Sequence, residues 1–519
     1  MQERHVPVLI VGGSLVGLSA SVLLADQGVP HLLVESHRGT AIHPRAASFH
    51  QRTMEVFRSV GLQEPVERAA ASEFLQNGAI MAVESLGGRE LQYFFHSYND
   101  GVEGLSPTDR LFITQVGLEP LLRDRAMELG AEHRFATELV AFEPHDDHVR
   151  AVLASRDGGE QSGVTADYLI AADGVHSRIR ERLGIGMGGR GSFADCVTIY
   201  FKADVKPLLG DRNLSVVYVN HPSLLGFFRF SITGDSGFLA VFSTIAPDGT
   251  RDSHVGDHMS TERCIGWVRT ALGCAHDHPV AIENVQRWSA SAATAETFAR
   301  GRIFLVGDSA HVMPPTGGFG GNTGVADAHN LAWKLALVTK GLAGPGLLAS
   351  YDKERRPVAA LTVEQAYTRY ALRVDPSLPR DDLQPPLDDA SIELGAVYRS
   401  GAVLEESEAA APLDDPRGHS WAPGTRVPHV PLPGGRSTLD VAGHGFALLT
   451  TDDADGWRNV ADKLQQDLNV PMAVQPVAEP NLAGTVLVRP DGVIAWRTVQ
   501  PAAQAGLDDV LLDLLHRRQ

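Results

Sequence analysis

Cysteine is scarce in this sequence, with only Cys196, Cys264 and Cys274 in 519 residues. No C-x-x-C pair occurs and the count is odd, so neither a disulfide framework nor a thiolate zinc site is indicated, and no metal site is expected. No cysteine follows Cys274, which excludes thiol chemistry from the C-terminal part of the chain. Positive charge is also in deficit. Lys and Arg total 45 against 63 Asp and Glu, a formal net charge of −18. That is the wrong sign for a protein that tracks phosphate backbones, so nucleic acid is not expected as a partner. A membrane-spanning run is missing as well. Val6 to Ala25 is free of charge, but Pro7 and Gly12-Gly13-Ser14 divide it into a β-branched run and a helical run, whereas a spanning segment is continuous. Neither a membrane nor export is expected, and the chain reads as cytoplasmic.

What is present is globular: 43% hydrophobic and 21% charged residues, in a length that suggests about three domains. The opening predicts a strand (Val6 to Val11), a Gly-rich turn, a helix (about Val16 to Asp26), Gly28 as its stop, and a second strand (His31 to Glu35), which is a βαβ unit. Similar apolar runs ending in Asp and Gly return at Tyr168 to Ala172 and Ile303 to Val306. One nucleotide-binding sheet is therefore expected to draw strands from three separated regions. Between them, Val197 to Val205, Leu214 to Val219, Leu224 to Thr233 and Phe238 to Ile245 predict an inserted antiparallel sheet. Pro376 to Asp389 predicts a linker or extended wrap. A last domain is expected to hold a strand at Phe446 to Leu449, a helix from about Trp457 to Leu468, a hairpin turned by Pro490-Asp491-Gly492, and a final amphipathic helix with Leu507, Val510, Leu511 and Leu514.

Three constellations carry chemistry. The first is Gly12-Gly13-Ser14-Leu15-Val16-Gly17, with Glu35 ending the second strand. Such a turn lets backbone approach a pyrophosphate at a helix N-terminus, and the acid accepts hydrogen bonds from a ribose diol. Ser14 departs from the usual glycine and brings a Cβ to that approach. The second, Asp173 to Arg180, follows an apolar strand; capping of the next helix by Asp173 or Ser177 is its simplest use. The third runs from Gly307-Asp308-Ser309-Ala310-His311 through Pro314-Pro315 and Gly317 to Gly324, then Asp327, Asn330, Trp333 and Lys334. So many glycines ahead of a helix imply that backbone lies against a ligand, and the helix N-terminus favours an anion. His311 is expected to be packed and hydrogen-bonded, not a base.

These elements, with Arg45 after His43-Pro44, Gln115 before Glu119 and Leu122, and Tyr351 with Glu354, Arg355 and Pro357, resemble the single-component (class A) FAD-dependent aromatic hydroxylases. The long C-terminal part is similar to that of the polyketide-tailoring subgroup, which includes the aklavinone and angucycline hydroxylases. The resemblance implies an α/β fold: a Rossmann-like FAD-binding domain (1–75, 111–190 and 295–375), an inserted antiparallel substrate sheet (76–110 and 191–294), a linker (376–400) and a thioredoxin-like C-terminal domain (401–519). It implies that Gly12, Ser14, Gly17 and Glu35 hold the ADP half of FAD, with Arg45 and Gln115 near the phosphate and ribityl region. Asp308 would bind the ribityl or pyrophosphate portion, and Pro315, Gly318, Gly320, Gly321, Asn322 and Thr323 would line the isoalloxazine. NAD(P)H would bind transiently in a groove near Asp173 and Arg180. The implied reaction spends NAD(P)H and O2 on hydroxylating an aromatic substrate through a flavin C4a-hydroperoxide, so the chemistry belongs to the cofactor and no catalytic triad is expected.

The alternatives are Baeyer–Villiger oxygen insertion, hydroxylation of a simple phenol, and a non-catalytic FAD-binding carrier or regulator. None of the six tryptophans forms the W-x-W-x-I-P element of flavin halogenases. For the substrate, six aromatics between Tyr200 and Phe230 stand against three basic residues, Lys202, Lys206 and Arg212, before Arg229. That balance favours a polycyclic aromatic polyketide held by apolar contact over a small benzoate held by a cation.

Overall fold

The β-branched opening forms β1 (Glu3–Val11), the glycine-rich turn reverses the chain into α1 (Leu15–Asp26), and β2 (His31–Val34) returns parallel to β1. This computed structural model describes residues 3–43, 47–246, 248–256, 259–375, 377–404 and 412–517. The strand Gln161–Ala171 pairs with β1 on its other side and with Ile303–Leu305 beyond, both parallel, while Glu132–Arg134 extends the sheet past β2. One sheet thus takes strands from separated regions, as the repeated apolar runs predict. Helices cover it: α1, α2 (Gln115–Glu128) and α3 (Phe319–Thr339) pack together, and burial on both faces explains why β1 and β2 read as unbroken apolar runs.

The inserted sheet has nine strands. Leu224–Phe230, Ser236–Ile245 and Met187–Lys202 pair antiparallel, as expected. The structure corrects the expectation of a wholly antiparallel sheet, because Leu214–His221 runs parallel to Ala79–Val83. Both strands enter from the same end, where the Ala79 N–H donates to the Asn213 carbonyl at 2.9 Å. The longest unforeseen strand is Ala281–Ala295, which pairs with Met187–Lys202 along most of its length.

In the C-terminal part, Phe446–Thr450 lies between Met472–Pro476 (parallel) and Thr485–Val488 (antiparallel), with Ile494–Thr498 outermost. Helices Ala454–Leu468 and Leu507–Leu514 complete a thioredoxin-like βαβ-ββα order. The stretch from 377 to 400 is not uniformly extended. It holds a helix, Asp389–Leu394, which buries Ala390, Ile392 and Leu394 and pairs Glu393 with Arg110 at 2.9 Å.

Two buried ion clusters join this C-terminal part to the helices beside the first sheet. Glu55 accepts from Ser106 Oγ at 2.7 Å and pairs with Arg52 at 2.9 Å and with Arg426 of the C-terminal part. Burial opposes its charge, yet Arg426 and Arg52 prevail and pull its pKa down to about 2. The folded-state value lies below the ordinary carboxylate range, so this stability is complete above about pH 4.5 and disappears as pH falls toward 2, on the order of 3 kcal/mol. We expect the urea midpoint to be steady from neutrality to about pH 5 and to decline below it in wild type. Glu55→Gln should flatten that decline, and an equal decline in the variant would contradict the assignment.

Candidate active site

At the C-terminal edge of the first sheet, a cleft of about 990 Å³ is lined by Gly12, Gly13, Ser14, Glu35 and Asp173, among others. The Gly-rich turn is glycine for steric reasons. Gly12 has φ 110°, and a Cβ there would lie 2.1 Å from the Ala172 carbonyl oxygen. A Cβ on Gly17 would lie 1.9 Å from the Gly12 oxygen, so α1 can approach β1 only through a bare backbone. Glu35 accepts the Gly13 N–H at 2.6 Å and the His37 N–H at 2.7 Å. Burial would raise its pKa, but these N–H bonds and His37 lower it on balance. The carboxylate therefore stays ionised and acceptor-only.

Ser14 caps α1 without bonding its own helix; its hydroxyl instead donates to Glu119 Oε1 at 2.6 Å. The Leu15 N–H reaches the same oxygen at 2.9 Å, and the Ala41 N–H the other at 2.6 Å. Gln115 stands one turn before Glu119 on α2 and donates to it at 3.2 Å. Sequence reading gave Glu119 no role of its own, though its i, i+4 spacing from Gln115 placed both on one helix face. Asp173 accepts the Ile179 N–H at 3.2 Å through one oxygen, while Oδ1 is buried with no partner. Burial raises its pKa, so it is a poorly solvated acid beside the cleft. Arg180 does not line this cleft; it donates to the carbonyls of Ser309, at 3.0 Å, and Val175. It ties the second glycine-containing element to the third. Arg45 lies outside the described residues.

The third element opens with Asp308, exposed, beside a buried network. Asp327 accepts the Gly307 N–H at 3.1 Å and pairs with His311 at 2.7 Å and Arg355 at 2.8 Å. Burial works against its charge, but His311 and Arg355 outweigh it, leaving its pKa lowered. His311 is 1% exposed, packed and hydrogen-bonded as expected. Gly317 and Gly318 both take positive φ, at 89° and 70°, and a Cβ on Gly318 would meet Ser48 Oγ at 2.8 Å. Pro315 is exposed and Gly320 and Gly321 are half-buried at the start of α3. The Asn322 amide donates to the Ser48 and Gly318 carbonyls and accepts the His50 N–H at 2.9 Å and the Thr53 hydroxyl at 2.6 Å. Thr323 donates back to the Phe319 carbonyl at 2.9 Å. The side chains of Asn322 and Thr323 thus hold the turn in shape.

The aromatics of the inserted sheet divide between its faces. Phe201, Phe228 and Phe230 pack with Val268 and Leu272 of the helix Thr261–Leu272. Tyr218, Phe227, Phe238, Phe242 and Trp288 gather on the other face with Phe193 and with Tyr370 of α4 (Ala349–Arg373). Phe227 stacks on Phe242 at 5.7 Å, and Phe242 meets Tyr370 edge-on at 5.4 Å. Of the six aromatics counted from Tyr200 to Phe230, Phe201, Phe228 and Phe230 therefore belong to one core cluster, and Tyr218 and Phe227 to the cluster on the other face. Cys196 lies on that face, 3.9 Å from the Tyr370 hydroxyl, its thiol pushed up to about 12 by burial. The cysteines are all free, and among the described residues no group of His, Cys, Asp and Glu could hold a metal ion. None of the described helices is long and apolar enough to cross a membrane.

Comparison with known proteins agrees with this architecture. A family model described as an FAD binding domain matches residues 5–366, and one described as the C-terminal part of aromatic-ring hydroxylases matches 420–517. The chain is 45% identical to 4-methyl-5-nitrocatechol 5-monooxygenase of a Burkholderia species, over 99% of this chain and 98% of the relative. It is 38% identical to tetracenomycin A2 monooxygenase-dioxygenase of Streptomyces glaucescens, covering 96% and 94%. The crystal structure of aklavinone-11 hydroxylase in ternary complex with FAD and aklavinone superposes with a TM-score of 0.92 at 36% identity, over 100% of both chains.

Proposed function

The chain belongs to the FAD-dependent aromatic-ring monooxygenases, and from that premise we propose that it hydroxylates a polycyclic aromatic polyketide. Bound FAD would supply the redox and oxygen chemistry, taking two electrons from NAD(P)H and delivering one oxygen atom of O2 to the ring while the other leaves as water. Gly12, Ser14, Gly17, Glu35, Arg45 and Gln115 would hold its ADP half and ribityl chain, with Asp308 beside the pyrophosphate. Pro315, Gly318, Gly320, Gly321, Asn322 and Thr323 would border the isoalloxazine, and Asp173 would meet NAD(P)H, while Arg180, outside the cleft, would hold the second element against the third. The cleft suits such a ligand: Asp173 Oδ1 is a buried acceptor awaiting a donor, and Glu35 is an ionised acceptor placed for a diol.

The substrate assignment rests on one observation. Tyr218, Phe227, Phe238, Phe242 and Trp288 form a continuous aromatic cluster on the sheet face that meets Tyr370 of α4. Such a face gives a fused-ring ligand area and offset stacking. A second reading, a single-ring phenol, is favoured by the 45% identity to the nitrocatechol monooxygenase. The test is NAD(P)H consumption coupled to product formation with anthracyclinone- and angucyclinone-type compounds against 4-hydroxybenzoate and a nitrocatechol. Coupled ring hydroxylation of the polycycles supports the proposal. Coupled turnover of the single rings alone would assign the second reading.

A further inference from the structure

A second pocket, of about 160 Å³, opens where the strands Leu214–His221 and Leu224–Phe230 meet the segment after Glu73. Its lining includes Arg229, Ser215, Phe74, Phe230, Lys206 and Ile232, and none of the residues assigned to FAD or NAD(P)H. Arg229 is only 4% exposed, yet no described carboxylate lies within ion-pair distance of it. Its guanidinium sits over the rings of Phe74 at 3.9 Å and Phe112 at 3.6 Å, and its Nε has no hydrogen-bond partner. Ser215 Oγ, on the same pocket, is also buried without a partner. The neighbouring charges are committed elsewhere: Glu73 accepts the Thr114 N–H at 2.8 Å, and Arg212 bonds Glu90 at 3.0 Å and the carbonyls of Leu86 and Leu208.

Magnitudes show that the rings do not settle the cost of this cation. A desolvated cation–π contact returns less than taking an ion out of water costs, even after relaxation. Burial accordingly drags the Arg229 pKa down to about 9. An anion against the guanidinium would restore the balance, because charge-assisted hydrogen bonds are the strong ones. The pocket walls state what kind of anion. Phe74 and Phe230 are apolar, Ile232 is 41% exposed, and Lys206 adds an exposed cation. A cavity of roughly 150 Å³ accommodates one benzene ring.

We propose that this pocket binds a small single-ring organic anion, an aromatic carboxylate or phenolate, with its charge on Arg229 and its ring against Phe74, at a site separate from the cofactor cleft. Calorimetric titration of the FAD-loaded protein with benzoate, followed in parallel by the visible flavin spectrum, tests it. We expect one equivalent to bind without moving the flavin bands, and neutral benzamide to bind more weakly. Arg229→Met should weaken benzoate binding by about ten-fold or more at unchanged FAD content. Ile232→Trp, an exposed position whose larger side chain fills the mouth, should weaken it too and keeps the test valid if the Arg229 variant misfolds. Absence of benzoate binding in the millimolar range, or binding that shifts the flavin bands and is untouched by Ile232→Trp, would overturn the proposal.

Discussion

Replacing Glu354 with Ala should cost about 3–5 kcal/mol of stability, the range for removing one partner of a fully buried ion cluster. Glu354, on α4, accepts from Lys334 at 2.8 Å, Asn330 at 2.6 Å, Ser400 at 2.6 Å and Arg489 at 2.7 Å. Burial penalises its charge, but Arg489 and Lys334 hold its pKa well below the usual carboxylate range. Lys334 is the vulnerable partner. Burial has already lowered its pKa to about 8, and the attraction of Glu354 is the largest influence holding it up. Without Glu354 its pKa would fall further, while Arg489 would keep its charge with Asp491 as its remaining carboxylate partner. Because Arg489 belongs to the C-terminal hairpin region and Glu354 to the helices beside the first sheet, the loss should appear first as undocking. We expect an earlier urea transition and faster proteolysis between 377 and 430, with Glu354→Gln intermediate because it can still accept from Ser400. A variant with the wild-type transition would show that the cluster does not hold the two parts together.

Gly17→Ala should leave protein that folds but holds FAD at least about 100-fold more weakly, a difference of about 2.7 kcal/mol. The new Cβ would lie 1.9 Å from the Gly12 oxygen. Since that neighbour is backbone, α1 must move away from β1, carrying Ser14 and the Leu15 N–H out of place. Flavin fluorescence titration measures the affinity, and circular dichroism checks the fold. Wild-type FAD content in this variant would mean that the turn does not carry the cofactor.

The βαβ opening was legible because its signals agree at every level: a β-branched run, glycines where no Cβ fits, and an acid at the second strand's end. The strand Ala281–Ala295 was not, since its second half, Trp288-Ser289-Ala290-Ser291-Ala292-Ala293-Thr294-Ala295, carries little β-branched or alternating signal and is held by its neighbour Met187–Lys202. Met472–Pro476 escaped for the same reason, being a short edge strand. The candidate site was legible as residue types but not as contacts. Gly12, Ser14, Glu35 and Asp173 do line one cleft, whereas nothing in the spacing tells that Asn322 spends its amide on Ser48 and His50, or that Glu119 closes the N-terminus of α1. Arg229 entered the sequence reading only as the basic residue that ends an aromatic stretch. Its burial between Phe74 and Phe112 joins segments far apart in the chain.

The central claim, that this chain is an FAD-dependent ring hydroxylase, is tested most directly by isotope. Purified protein should be yellow, release FAD on denaturation, and consume NAD(P)H in the presence of a polycyclic phenolic substrate. Under ¹⁸O2 the product should gain one labelled oxygen as a ring hydroxyl, with none from labelled water. Colourless protein that cannot be reconstituted with FAD, or a holoprotein whose product carries oxygen from water, would contradict the account.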